Sequence, residues 1–240
     1  MSKERPRFVH LHVHSHYSLL DGASLVDSLL AKTAEYEQEA IALTDHGNLY
    51  GAVEFHDQAR KMGIRPILGM EAYLAAKSMK LKADKERNPT THLTLLAENE
   101  EGWRNLIKLA SLANLEGFYR KPRIDKEVLA SHSKGLIALS GCLSGELNRL
   151  LARGEEKKAL QVAAEYRDLL GKDNFFLEIM RIGMPRQEDL NEGLARIARE
   201  LSLGLVATND VHYLGKDDWQ VQDVLLAIHT GALLTDQDRF

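Results

Sequence analysis

Histidines occupy positions 10, 12, 14 and 16 near the amino terminus, and the residues between them are apolar or small. Because successive side chains of a β-strand point to opposite faces, His10, His12 and His14 are expected to share one face. Imidazole is the commonest metal-binding side chain, and two of them on one strand can bind the same ion. A lone histidine in such a strand is more often a core residue, but three on one face all need partners for their ring nitrogens. The stretch is therefore interpreted as half of a metal site.

Other side chains that bind metals lie at the ends of apolar runs further along the chain. They are Asp21, Asp45, His46, Glu71, Cys142, Asp210 and His212, together with His92, which opens its run. Taken singly, Cys142 could be a small buried residue, and Asp45 could belong to an ordinary turn. Glu71 is harder to explain in this way, because a buried carboxylate needs a partner. Asp210 and His212 repeat the two-residue spacing of the first histidines.

This set of side chains indicates a particular chemistry. Histidines, carboxylates and a thiol suit zinc, manganese or iron better than calcium or magnesium. The candidates outnumber the four ligands of a tetrahedral site, so two or three ions that share carboxylates are expected. Metals roughly 3.5–4 Å apart can hold a bridging hydroxide and bind both oxygens of a phosphoryl displacement. The pattern therefore predicts a centre of two or three metal ions whose chemistry would suit a phosphoryl displacement.

The elements that position these residues are short apolar runs, which alternate with amphipathic segments. The predicted strands cover residues 7–14, 40–45, 66–74, 92–97, 135–142, 174–180 and 204–212. Intervening helices imply a parallel sheet, because parallel neighbours need crossover connections. Seven units of a strand and a following segment in about 210 residues favour a closed α/β barrel, and a doubly wound open sheet is the alternative. The candidate ligands then lie at the C-terminal rim of the strands, where parallel barrels build their active sites.

Composition restricts the class of protein. The chain has 240 residues and a formal charge of −4, which suits one barrel domain and does not suit a protein that coats nucleic acid. Any contact with DNA is therefore expected to be local. The single cysteine excludes an internal disulfide, and the apolar runs are too short to span a bilayer. Because the amino terminus also lacks a signal-peptide core, a cytoplasmic location without membrane contact is expected.

Two predicted loops are rich in basic residues. The first covers residues 75–91, and the second, residues 117–123, also contains aromatic residues. Positive side chains can hold a DNA backbone while an aromatic ring stacks on a base, although basic loops are often merely solvated. The candidate substrate-binding residues are Tyr119, Arg120, Lys121 and Arg123.

Taken together, these motifs resemble the polymerase and histidinol phosphatase (PHP) domain family. The family pattern is matched by His12-Val-His14, Asp21, Thr44-Asp-His-Gly47, Glu71, His92, Ser140-Gly-Cys142 and Asp210-Val-His212. Longer strings that start at Phe8, Gly117 and Ala207 are most similar to the PHP domains of bacterial replicative DNA polymerases. Residues 1–240 are accordingly expected to be one PHP domain, excised from a much longer polymerase chain.

The resemblance implies a distorted, TIM-like (β/α)7 barrel with a metal centre at the C-terminal rim of its strands. It implies two or three divalent transition metals, with zinc first and manganese or iron as alternatives. The implied ligands are His12, His14, Asp21, His46, Glu71, His92, Cys142, Asp210 and His212. Glu71, Asp210 and His212 are expected to act in catalysis. His10 and Asp45 are expected to contact the ligand side chains without binding metal themselves.

The resemblance also implies a choice of functions. In polymerases of this type the domain is either a metal-dependent 3′–5′ exonuclease or a structural module that has lost ligands. The intact pattern favours a phosphoesterase of the proofreading exonuclease type, in which a metal-bridging hydroxide attacks phosphorus. A mainly structural metal-binding platform and a small-molecule phosphatase of the histidinol-phosphatase type are the alternatives. The expected partners are a DNA 3′ end, the remainder of the polymerase chain and other replisome subunits.

Overall fold

The computed structural model of the chain describes residues 8–84 and 86–236. Its strands are β1 (Ala40–Leu43), β2 (Arg65–Ala75), β3 (Thr90–Ala97), β4 (Arg123–Ile124), β5 (Leu136–Leu139), β6 (Phe175–Met180) and β7 (Gly204–Thr208). Its helices are α1 (Val26–Glu35), α2 (Ala52–Lys61), α3 (Glu100–Leu115), α4 (Lys126–Ser131), α5 (Glu146–Ala152), α6 (Glu156–Leu170), α7 (Gln187–Leu201) and α8 (Trp219–Thr230). None of the helices in these residues is long and apolar enough to cross a membrane.

The strands form one curled sheet in the order β1-β2-β3-β5-β6-β7, with β4 beside β2. The pairings are parallel except those of β3, which is antiparallel to both β2 and β5. The predicted all-parallel sheet is therefore wrong at β3. The reason is the connection from β2, because the described residues within 76–89 form no helix, and the chain turns back instead of crossing the sheet. The start of β3, and not its end, consequently lies beside the C-terminal ends of its neighbours.

An extended segment, residues 8–14, closes the curled sheet. The amide of Ala42 in β1 donates to the carbonyl of His10, and the amide of Val211, beyond β7, donates to the carbonyl of His12. The segment thus bridges the first and last strands, and the expected distorted barrel is confirmed. A regular strand over residues 7–14 is not found: residue 7 lies outside the described residues, and the chain bends at His12, leaving an isolated bridge between Val13 and Val211.

Apolar side chains on the outer face of the sheet pack against the helices. The larger cluster joins the sheet to α3, α5, α6 and α7 and includes Leu95, Tyr166 and Phe175. A second cluster joins the sheet to α1 and α2 around Leu30 and Phe55. Burying such side chains contributes roughly 1.5–3 kcal/mol each, so this outer layer provides most of the stabilisation and leaves the rim available for polar groups.

The inner face of the sheet changes from apolar to polar toward the rim. Its apolar cluster consists of Ala42, Leu96 and Leu139, with Phe176 and Val206 packed against it. Since side chains alternate along a strand, the next inward position after Phe176 is Glu178, and the next after Val206 is Thr208. Both of these polar side chains are buried. The sequence of each strand therefore places a polar layer directly above the apolar interior.

Candidate metal centre

Every residue of the implied ligand set lies at this one rim of the barrel. His12 and His14 come from the closing segment, Asp21 from the loop after it, His46 from the end of β1, Glu71 from β2, His92 from β3, Cys142 from the end of β5, and Asp210 and His212 from the chain after β7. The antiparallel direction of β3 explains the position of His92. Although it is near the start of its strand, it pairs with Tyr73 near the end of β2.

Glu71 lies at the centre of the group. Its side chain is 1% exposed, and its Oε2 lies 2.6 Å from Nδ1 of His46. Its Oε1 lies 2.9 Å from Nδ1 of His92 and 3.3 Å from Nε2 of His12. The Sγ of Cys142 is 3.5 Å from the same oxygen. Because each oxygen faces a different set of side chains, this carboxylate would supply ligand atoms on two sides of the centre.

Two aspartates also lie close to histidines of the centre. Oδ1 of Asp210 lies 3.3 Å from Nε2 of His12 and 3.3 Å from Nε2 of His14. Oδ2 of Asp21 lies 2.8 Å from Nε2 of His46. The carboxylates and imidazoles therefore alternate in space, which is the arrangement that a centre of several cations needs.

Several of these atoms are buried and form no well-aligned hydrogen bond among the described residues, although some of them lie close to an opposite charge. They are Nε2 of His12, Nε2 of His14, Nδ1 of His46, Oε2 of Glu71 and Oδ1 of Asp210. A buried polar atom without a partner costs free energy, and nitrogen and oxygen lone pairs that converge on one point suit a divalent transition metal. Groups with the spacing to hold an ion are His14–His46–His212, His12–His14–Glu71 and His46–Glu71–His92. The residues present therefore fit a divalent metal centre.

The surroundings of the histidines separate their pKa values. Burial, together with His46 and His212, lowers the pKa of His14 to about 3, so its imidazole is neutral. Burial also acts to lower the pKa of His46, but Glu71 and Asp21 outweigh it and raise that pKa to about 9. Because only a neutral imidazole nitrogen binds a metal, a metal ion must displace a proton from His46 and not from His14.

The carboxylates of the centre are held in the ionised form. Although burial opposes it, neighbouring histidines lower the pKa of Glu71, Asp21 and Asp210 well below the usual carboxyl range. Burial, with the charges of Glu71 and Asp210, raises the pKa of the Cys142 thiol well above its usual value. Cys142 therefore becomes a thiolate only when a cation is bound beside it.

Asp45 connects the turn after β1 to one of the histidines. It accepts hydrogen bonds from the amide and Oγ of Ser15 and from Oγ of Ser18. Oγ of Ser18 in turn lies 2.9 Å from Nδ1 of His14. The loop that carries Ser18 is closed by Gly22, where a Cβ would lie 2.0 Å from the carbonyl oxygen of Ser15. Asp45 is thus placed to orient His14 and not to bind metal.

Two residues at the site were not predicted from the sequence. Oε1 of Glu178 lies 2.7 Å from Nδ1 of His12, and the side-chain amide of Gln222 in α8 donates to Oδ1 of Asp21 at 3.3 Å. Glu178 had the same signal as Glu71, because it is an acidic residue inside an apolar strand. Gln222 had no such signal, since it is separated from Asp21 by 201 positions in the chain.

His10 and His16 lie outside the groups that can hold an ion. The ring of His10 packs edge-on against Phe8, and the ring of His16 lies 4.2 Å from that of Tyr17. Because the chain bends at His12, the inward face expected for all of the first histidines is limited to His12 and His14. The Nδ1 of His10 has no hydrogen-bond partner among the described residues, so no contact of this nitrogen supports a ligand.

The second basic loop lies beside the metal centre. The ammonium of Lys121 lies 4.3 Å from the centre of the Tyr73 ring, and that ring stacks on the imidazole of His46 at 5.8 Å. The guanidinium of Arg120 lies 5.6 Å from the centre of the Tyr119 ring, and Arg120 is exposed. Cationic and aromatic groups are therefore present within one side-chain layer of the ligands.

Arg123 does not belong to this basic surface, and its predicted role in substrate binding is wrong. Its side chain is only 2% exposed. The guanidinium donates to the carbonyls of Gly117, Met79 and Leu81, which ties the loop to the turn after β2. A pattern of basic residues cannot distinguish such a buried arginine from its exposed neighbours, because the carbonyls that bind it come from distant parts of the chain.

Comparison with known proteins agrees with this geometry. The model of the PHP domain family matches residues 10–182 of the chain. The chain belongs to the PHP domain family. The resemblance seen in the spacing of the histidines and aspartates is thereby confirmed.

Relatives of this PHP domain are found among DNA polymerase III alpha subunits. The chain is 45% identical to DNA polymerase III subunit alpha of Saccharopolyspora erythraea, over 97% of the chain and 21% of that protein. It is 46% identical to the corresponding protein of Thermus aquaticus, over 98% of the chain and 19% of that protein. The chain therefore spans about a fifth of the length of the curated relatives that it matches.

Solved structures share the fold of this PHP domain at low sequence identity. A candidate metal-dependent phosphoesterase from Bifidobacterium adolescentis superposes with a TM-score of 0.53 at 16% identity, covering 88% of this chain and 90% of that one. An amidohydrolase from Chromobacterium violaceum, solved with sulfate and no metal, superposes with a TM-score of 0.54 at 16% identity, covering 90% and 96%. These likenesses show that the chain shares the fold of these two proteins.

Proposed function

We propose that this PHP domain is a metal-dependent phosphodiesterase that removes nucleotides from DNA 3′ ends. The observation that carries the proposal is the convergence of buried ligand atoms without hydrogen-bond partners at one barrel rim. A structural ion would need four ligands, whereas this rim presents enough histidines and carboxylates for two or three ions. The identity to polymerase III alpha subunits supports DNA as the substrate.

The metal ions would be two or three divalent transition metals, with zinc first and manganese or iron as alternatives. The residues that would hold them are His12, His14, Asp21, His46, Glu71, His92, Cys142, Asp210 and His212. Bound there, the ions would supply Lewis acidity and a nucleophile at neutral pH. Glu71 is buried and orders the histidines around it, while Asp210 and His212 are 16% and 14% exposed and so face the entering substrate. Asp210, being ionised, is placed to hold a metal ion at the side of the centre that the substrate reaches.

The second basic loop is the proposed contact for DNA. Lys121 and Arg120 are placed to attract the phosphate backbone, and Tyr119 is placed to stack on a base. Because the last phosphodiester of a duplex must leave its partner strand to enter the rim, the domain should prefer single strands or frayed ends. Arg123 is left out of this surface because its guanidinium is occupied by backbone carbonyls.

The remainder of a polymerase chain is the proposed partner of the carboxyl-terminal helix. In α8, Ala227 is the one buried residue, while Val221, Val224 and Ile228 share one face of the helix and are 54%, 42% and 60% exposed. An exposed apolar helix face of this kind is typical of a surface that another part of a protein covers. Residues 1–240 would then be one PHP domain of a longer cytoplasmic replicase, and other replisome subunits would be reached through that longer chain.

Degradation of a 3′-labelled primer by metal-replete protein tests the proposal. Replacing Arg120 and Lys121 together by alanine should raise KM for the primer and reduce its salt dependence, because two phosphate contacts are lost. Hydrolysis of a small chromogenic phosphoester should remain unchanged, since that substrate does not reach the loop. A double alanine variant at Lys157 and Lys172, which are exposed, is the control for the loss of two positive charges and should behave like the parent.

The outcomes separate the proposed function from its alternatives. Loss of metal ions without any change in primer degradation would show that the nuclease is a contaminant. Hydrolysis of the chromogenic ester without action on DNA would establish a small-molecule phosphatase. Metal binding without either activity would establish a structural platform.

A further inference from the structure

We propose that Glu178 is a positioning residue that selects the metal-binding nitrogen of His12 and raises the metal affinity of the centre. The inference rests on the proposed metal-dependent function and deepens it. Glu178 lies outside the ligand set, and its side chain contacts the far side of a ligand and not the cluster itself. Its effect on the metal ions would therefore be exerted through His12.

The position of Glu178 is determined by contacts on three sides. Its Oε1 lies 2.7 Å from Nδ1 of His12, and neither side chain is exposed to solvent. Oγ1 of Thr208 in β7 donates to the same Oε1. The amide of Glu178 donates to Oγ of Ser140 at the end of β5, which holds the strand in register. The carboxylate is thus held beneath His12 by the two neighbouring strands.

The chemistry of these contacts determines the tautomer of His12. A carboxylate oxygen accepts hydrogen bonds, so Nδ1 of His12, which lies 2.7 Å from Oε1 of Glu178, carries the hydrogen of the neutral imidazole ring. The lone pair of that neutral ring is then on Nε2, which lies 3.3 Å from Oε1 of Glu71 and 3.3 Å from Oδ1 of Asp210. Nε2 is also one of the buried atoms without a well-aligned hydrogen bond. Glu178 therefore leaves Nε2 as the nitrogen of His12 that can bind a metal ion.

Among the described residues the ion pair of Glu178 is with His12, and no lysine or arginine forms one with it. Moving a carboxylate out of water costs several kcal/mol, so an uncompensated one would be strongly destabilising. Positive charge on a metal-bound imidazole would compensate it, and the carboxylate would in turn make that imidazole a stronger ligand.

Glu178→Gln tests the inference, because glutamine has the same size without the charge. The first measurement is metal affinity by competition with a chelator. The second is ¹⁵N NMR of the His12 ring in the metal-free protein at a pH high enough for the ring to be neutral, because, although burial opposes it, Glu178, Asp210 and Glu71 raise the pKa of His12 well above its usual value. We expect metal affinity about 10- to 100-fold weaker than that of the parent. We also expect the His12 ring to change from the Nδ1–H tautomer to a mixture, since a side-chain amide can donate as well as accept.

Two further variants control for changes in packing and charge. Thr208→Val removes the second donor to Glu178 but leaves the bond to His12, so affinity should fall less than in Glu178→Gln. Glu127→Gln removes a carboxylate from the exposed face of α4 and should have no effect. If Glu178→Gln does not fold, Glu178→Asp replaces it, because the shorter side chain keeps its charge but no longer reaches Nδ1.

The results distinguish this inference from the proposed function. If the parent binds metal and the Glu178 variant binds it equally well with an unchanged His12 tautomer, the inference is wrong and the metal-dependent function stands. If the parent binds no metal, the proposed function fails. The tautomer of His12 in the metal-free parent and variant then decides by itself whether Glu178 positions the ring.

Discussion

Substitution of Asp210 by asparagine should abolish phosphoester hydrolysis while the barrel stays folded. Asp210 has a φ of 50°, in the left-handed region, where asparagine is tolerated better than other side chains except glycine. Alanine would add backbone strain to the loss of the ligand, whereas asparagine keeps both the turn and the size of the side chain. The variant therefore isolates the charge of the carboxylate.

The distances around Asp210 set the expected size of the effect. Its Oδ1 is 3.3 Å from Nε2 of both His12 and His14, so a cation held between them lies close to the carboxylate. Two unit charges at that distance attract each other by about 5 kcal/mol at an effective dielectric constant of about 20. Dehydration and repulsion from Glu71 offset part of this attraction, and a net loss of about 3 kcal/mol corresponds to roughly 100-fold weaker metal binding.

The assay compares the parent, Asp210→Asn and Asp173→Asn at equal metal concentration. Asp173 is exposed just before β6, at the barrel end opposite the rim, and serves as the matched control. We expect the control to match the parent, and Asp210→Asn to lose primer degradation and hydrolysis of the chromogenic ester together. The melting temperature of the metal-free variant should change by only a few degrees, because the residue lies at the rim. Full activity in Asp210→Asn, or its unfolding at room temperature, would refute the reasoning.

Three further perturbations have expected outcomes. Arg123→Met should lower the free energy of unfolding, measured in urea, by about 2–4 kcal/mol, because buried carbonyls lose a charged hydrogen-bond donor. An unchanged free energy of unfolding would mean that the hydrogen bonds of Arg123 are not formed in solution. Metal affinity, measured by calorimetry, should rise between pH 6 and pH 9, and metal binding should release protons. The reason is that His46, with a pKa of about 9, holds a proton below that pH and must lose it to bind metal. A metal affinity that stays constant over this range would contradict the prediction. For the metal-free protein the same raised pKa stabilises the fold below pH 6.5, and this contribution is lost as the pH rises through about 9, so the melting temperature should fall over that interval. Chelation should lower the melting temperature of the metal-replete protein. The decrease should be about 10 °C if the metal ions were present at about 1,000 times their dissociation constant. An unchanged melting temperature would show that the folded protein does not bind metal.

Local patterns in the sequence were sufficient for much of the site. The spacing of His12 with His14 and of Asp210 with His212 depends on two-residue periodicity, and apolar runs marked most of the strands on which the ligands lie. These features act over a few residues, so they can be recognised without knowledge of the fold. The matched motifs also identified the family, which supplied the barrel.

Features that depend on distant contacts were mistaken or missed. Arg123 was assigned to a DNA-binding surface, but carbonyls from Met79 and Leu81 bury it. Glu178 was passed over, although it contacts His12 from a strand that is 166 positions away. In both cases the side chain is polar in the sequence and its partner is set by the packing of separate elements.

The sequence by itself determined which residues can bind metal, which segments are apolar enough to be strands, and to which family the chain belongs. Only the tertiary structure decided the direction of β3, and with it the reason that His92 reaches the rim from the start of its strand. It also decided that the first segment bends at His12 and closes the barrel between β1 and the chain beyond β7. The physical reason is that strand direction and barrel closure are chosen by hydrogen bonds between distant segments, whereas periodicity reports only the environment of each segment.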